Sequence, residues 1–128
     1  MYCHINGDTS RIVGQRCDKL YLLQQREEGI VTDPAMVTYF RFGDQWMTLH
    51  INDDTVFWRR VQLPSQLNDN YEALLVAYQP EGVFQHVVEN IKYGSSDEHV
   101  EVRLSFSSGR ILNFKYHCFE DYTSINIG

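Results

Sequence analysis

Residues 100–106 alternate apolar Val100, Val102, Leu104 and Phe106 with Glu101, Arg103 and Ser105. A period of two puts the first set on one face of an extended strand and the second on the other. A helix, with 3.6 residues per turn, would scatter the same residues around its cylinder. After Ser107-Ser108-Gly109 the alternation resumes at Leu112, Phe114 and Tyr116. Three residues, with glycine where a left-handed conformation closes the loop, are the mark of a bulged hairpin. The pattern predicts antiparallel strands with one face on a core and the other in water.

The first half of the chain carries a similar unit. Phe40-Arg41-Phe42 leads through a turn, Gly43-Asp44-Gln45, to a strand over 46–51 with Met47, Leu49 and Ile51 on one face. Asn52-Asp53-Asp54 then turns the chain into 55–61, whose β-branched and aromatic residues favour a further strand. The two hairpin blocks can be overlaid, which divides one domain, 1–128, into related units of about 12–61 and 83–127. The residues 62–82 between them read as an exposed connection, polar and broken by Pro64. The match is one of pattern, and both an old duplication and convergence on good hairpin sequence account for it.

Two stretches are ambiguous. Over 15–28, Cys17, Leu20, Tyr21 and Gln24 suit a helical face while 19–23 suit a strand. Over 71–78, Tyr71, Leu74, Leu75 and Tyr78 suit a helix while Leu74, Val76 and Tyr78 suit a strand. The fold expected is mainly β, with α+β as the alternative. It is a twisted antiparallel sheet, open barrel or sandwich, with at most one or two short helices.

With 43% hydrophobic and 13% aromatic residues, the chain can build a packed core. Seventeen Asp and Glu against eleven Lys and Arg give a formal charge of −6. A field of that sign repels nucleic acid and draws cationic partners. The start of the chain lacks a basic, then apolar, secretory pattern, and no apolar run reaches the ~18 residues of a membrane span. A cytoplasmic protein that is monomeric or weakly dimeric is therefore expected.

No motif for catalysis or cofactor binding is present. G-x-S-x-G, H-E-x-x-H and a glycine-rich phosphate loop are all missing, and His50, His86 and His99 stand beside no nucleophile motif. Cys3-His4 and His117-Cys118 offer zinc-type donors, but neighbours on a strand point to opposite faces, so each doublet supplies one ligand. Cys3, Cys17 and Cys118 are odd in number and lack C-x-x-C spacing, which favours reduced thiols. No catalytic residue, metal or cofactor is assigned.

The acidic residues fall in turns: Asp53 and Asp54, Asp97 and Glu98, Glu120 and Asp121. Turn chemistry alone favours Asp there. If the two units pack together, some of these loops share one end of the sheet and form an acidic rim that steers and pairs with a basic protein. Trp46 and Trp58 both suit a core. An exposed Trp58 beside Arg59 and Arg60 would instead be an interface anchor, since Trp and Arg dominate hot spots. The partner-binding candidates are Asp53, Asp54, Trp58, Asp97, Glu98, Glu120 and Asp121.

The short acidic chain, its strand-turn-strand blocks over 39–51 and 104–116, and the acidic turns after them resemble small bacterial immunity proteins. These are cytoplasmic inhibitors paired with contact-dependent or other polymorphic toxins. The resemblance covers about half the chain, and no site residue carries over from it. It implies a protein-binding inhibitor of a cognate basic toxin, often a nuclease. Two other classes stay open: a β barrel that binds or transforms a small ligand within its Tyr-rich interior, and a self-associating structural module joined through sheet edges.

Overall fold

Apolar alternation recurs along the chain, and in the computed structural model each alternating segment pairs with another across a ladder. The structure describes residues 3–62 and 73–128. The strands are β1 (His4–Asn6), β2 (Cys17–Glu27), β3 (Ile30–Phe42), β4 (Gln45–Asn52), β5 (Thr55–Val61), β6 (Ala73–Ala77), β7 (Val88–Ser95), β8 (His99–Phe106), β9 (Ile111–His117) and β10 (Tyr122–Ile127). They form a six-stranded sheet in the order β1-β5-β4-β3-β2-β6 and a four-stranded sheet in the order β10-β9-β8-β7. Among the described residues only β1 and β5 run parallel; the other ladders are antiparallel. Neither sheet closes into a barrel, and no helix occurs among the described residues. The expected mainly β, antiparallel architecture is present as a sandwich, and it makes no use of the short helices allowed for.

The alternation decides what lies between the sheets. Phe40 and Phe42 of β3, Met47, Leu49 and Ile51 of β4, and Val56 and Trp58 of β5 face Val100, Val102, Leu104 and Phe106 of β8 and Leu112, Phe114 and Tyr116 of β9. Phe40 meets Phe114 edge-on at 6.1 Å between centroids and Trp58 at 6.0 Å. Trp58 Nε1 donates to Tyr93 Oη (2.9 Å), so the polar atom of the largest core side chain is satisfied across the sheets. Asp33 ties the sheets at another edge. Its buried carboxylate accepts from Thr123 N of β10 (3.0 Å) and Ala35 N (3.3 Å).

The hairpin after β8 closes as its sequence predicts: Ser107-Ser108-Gly109 bridges Phe106 and Arg110, with Gly109 at φ 91°. The turn after β3 is shorter than expected. Phe42 pairs with Gln45, so Gly43-Asp44 is the whole loop and Gln45 already belongs to β4.

Both ambiguous stretches contain strand among their described residues. Residues 17–27 form β2, which pairs β3 on one side and β6 on the other. Register shifts between Cys17 and Lys19 and between Leu23 and Gln25 interrupt its alternation, so Cys17 and Leu20 both turn inward although three residues apart. A bulge thereby imitates helical spacing. Residues 73–77 form β6, an edge strand of the six-stranded sheet, within what reads in the sequence as connection; residues 63–72 lie outside the described part.

The two sheets also meet through hydrogen bonds where β2 and β7 begin. Arg16 bridges Val87, Cys17 N donates to His86 O and Val88 N to Gln15 O (both 2.9 Å). Gly14 N donates to Val88 O (2.8 Å) and Gln85 N to Cys17 O (2.7 Å). Each bond has its reciprocal across a local two-fold. Gly14 (φ 92°) and Gln85 (φ 67°) share a left-handed conformation, and Ile12 and Val83 plug the core from matching turns.

Candidate functional site

Three loops come together at one end of the sandwich: Asp53-Asp54 between β4 and β5, residues 96–98 between β7 and β8, and residues 118–121 between β9 and β10. Short antiparallel connections put them there, because β4, β7 and β9 all end at this edge. Cys118 N donates to Glu98 O (2.9 Å), which joins the second and third loops. Cys118 Sγ lies 4.0 Å from Asp53 O, which brings in the first. Tyr116 Oη donates to Asp121 Oδ1 (2.5 Å) from inside the core. Asp53 (φ 54°) and Asp121 (φ 58°) adopt the left-handed conformation that short polar side chains tolerate in tight turns.

Asp53, Asp54, Glu98, Glu120 and Asp121 are thus gathered on one surface, with Asp97 beside Glu98; all six are exposed. His4, the first residue of β1, lies 3.8 Å from Asp54 through Nε2. Among the described residues no Lys or Arg is ion-paired with any of the six carboxylates. Their field is felt beneath. Burial, followed by the hydrogen bond to Asp121 and the charges of Asp121 and Asp53, pushes the Tyr116 phenol up to about 12. Burial first, then Asp53, Asp54 and Glu120, raises the Cys118 thiol. Both groups are protonated at neutral pH.

Phe119 lies in the same turn, between Cys118 and Glu120 in sequence, and is 76% exposed. Sequence reasoning passed over it. It lies in the turn after β9, where period-two alternation no longer assigns a face, so the sequence pattern does not mark it. Trp58 requires the opposite correction. It is 1% exposed, packed on Phe40 and bonded to Tyr93, and so is a core residue rather than a surface anchor. Trp46, at 7%, is also buried.

Beside the acidic loops, β8, β9 and β10 carry a ring stack. His99 meets His117 edge-on at 4.9 Å, His117 lies flat on Tyr122 at 4.2 Å, and His117 Nε2 is 3.1 Å from Ser124 Oγ. Burial and then the charge of His99 lower the His117 pKa, against an opposing effect of Glu120. No group of three or more His, Cys, Asp or Glu is placed to hold a metal among the described residues. Nor do the described residues include a helix long and apolar enough to cross a membrane.

Comparison of the chain with protein-family models, curated proteins and solved structures finds no match.

Proposed function

We propose that the chain is a protein-binding inhibitor, and specifically a cytoplasmic immunity protein that neutralises a cognate basic toxin through its acidic end. One observation carries this reading: six exposed carboxylates lie on three loops at one end of the sandwich, and one of those loops also carries an exposed phenylalanine. The carboxylates steer a cationic partner and pair with its Lys and Arg at the rim. Phe119 enters an apolar pocket of the partner and contributes about 2 kcal/mol of burial. A toxin that cleaves nucleic acid must present positive charge to phosphates, and a rigid acidic rim seated there excludes the substrate without any chemistry. The filled space between the sheets, occupied by Trp58, Phe40, Phe106 and Phe114, supports this reading over a barrel that holds a ligand inside.

The test is direct binding to the purified product of the neighbouring toxin gene, measured by calorimetry alongside the toxin's activity. Stoichiometric inhibition is expected, and Phe119→Ala should weaken binding by about thirtyfold, the loss typical of a central anchor. A neighbouring product that is not a toxin, or binding indifferent to Phe119, overturns the proposal.

A further inference from the structure

The matching turns that lead into β2 and β7 have different surroundings. In the second half, Gly82 lies against the β8–β9 loop so closely that a Cβ would collide with Arg110 Cγ. Ser108 Oγ donates to Gly82 O, and Arg110 Nε donates to Gly128 O (3.0 Å). Turn and hairpin are closed on one another. In the first half, Arg11 precedes the buried Ile12 as Gly82 precedes the buried Val83, and Gln45 stands two residues before Met47 as Arg110 does before Leu112. Here turn and hairpin stand apart and leave a cleft of about 470 Å³.

The floor of the cleft is apolar, with Phe42, Met47 and Trp58, while Arg11, Arg60 and Asp8 stand on its rim. Both arginines are exposed, and neither guanidinium is in a hydrogen bond or salt bridge among the described residues. Hydrogen bonds from Ser10, and then the charges of Arg11 and Arg60, hold the Asp8 carboxyl below its ordinary range. Asp8 offsets one of the two cations, so these three groups leave one positive charge in a chain whose net charge is −6.

We propose that this cleft binds a small organic anion in which a carboxylate or phosphate is joined to a flat apolar group. A guanidinium presents paired donors that match two oxygens of either anion, and a ring can lie on the apolar floor. The volume falls within the roughly 300–1,000 Å³ common for small-ligand sites. The length of β4 separates the cleft from the acidic loops by roughly 20 Å, at about 3.3 Å per residue. The site is therefore independent of the toxin-binding surface.

Phenyl phosphate and benzoate are suitable probes, with benzamide as the neutral control and ¹⁵N-resolved NMR of the full chain as the readout. Both anions should give saturable shifts centred on Arg11, Gln45 and Arg60, with benzamide at least tenfold weaker. Arg11→Gln and Arg60→Gln should each weaken phenyl phosphate by about tenfold, as expected for a charge-assisted hydrogen bond, while the remaining spectrum stays folded. Asp8→Asn should tighten it. Absence of saturation, equal binding of benzamide, indifference to both arginine variants or weaker binding to Asp8→Asn each overturns the proposal, and none of them bears on the acidic end.

Discussion

Asp33, a residue 7% exposed, joins β3 to β10 through its carboxylate. Burial, opposed by the bonds from Thr123 and Ala35, raises its pKa above 3.8, and Asp121 adds to the rise. Folding therefore favours the protonated acid. This contribution is complete below pH 3.8 and is lost as pH rises through the higher folded value. Asp33→Asn keeps a carbonyl for both N–H donors and removes the charge, so it should match or exceed the wild type in urea midpoint at pH 7, with the advantage gone at pH 3. Asp33→Ala leaves two buried donors unpaired and should cost about 1–3 kcal/mol at both. An asparagine variant as unstable at pH 7 as the alanine variant would contradict this account. At the same scale, alternation placed Trp58 with Val56 and Arg60 but could not say which face was covered. Val56 and Trp58 are sealed by the opposing sheet, while Arg60 reaches past its end to the cleft rim.

Among the elements, the regular hairpins were readable because their turns carry their own chemistry. Gly109 adopts φ 91°, and a Cβ added there would meet nothing within 4 Å, so Gly109→Ala incurs only the conformational penalty, about 1–2 kcal/mol. Gly7, after β1, differs. It adopts φ 124°, and a Cβ would run into the Trp58 carbonyl oxygen and approach Trp58 Cβ to 2.9 Å. Gly7→Ala should therefore destabilise by more than Gly109→Ala in thermal or urea unfolding; equal losses would show that β1 is not held against β5 as described. The irregular β2 resisted reading because its bulges shift the inward set, and β6 did because an edge strand needs only one pairing partner and no strict pattern.

For the whole molecule, the electrostatic consequence is a separation of charge between two ends of one sandwich. Three loops concentrate carboxylates at one end, and two arginines with a single partly offsetting Asp8 stand at the other. The combined variant Asp53→Asn, Asp54→Asn and Glu120→Gln should keep the fold, since those side chains are exposed. It should associate with a basic toxin at least tenfold more slowly at low salt and lose most of its salt dependence. Stopped-flow association at several ionic strengths checks this; unchanged rates would remove the acidic end from the encounter.

The chain by itself determined that it would form antiparallel strands, where the two best hairpins turn, and that acids would sit in the turns, because period-two alternation and turn chemistry are local. It did not determine which loops would be neighbours. Asp53, Glu98 and Asp121 meet only because the sheets stack, with Cys118, in the same turn as Asp121, reaching the Glu98 and Asp53 carbonyls. Nor could it separate a sealed Trp58 from an exposed Phe119, or a closed turn at Gly82 from an open one at Arg11. Those differences depend on what the opposite sheet or hairpin covers, a contact between residues far apart in the chain.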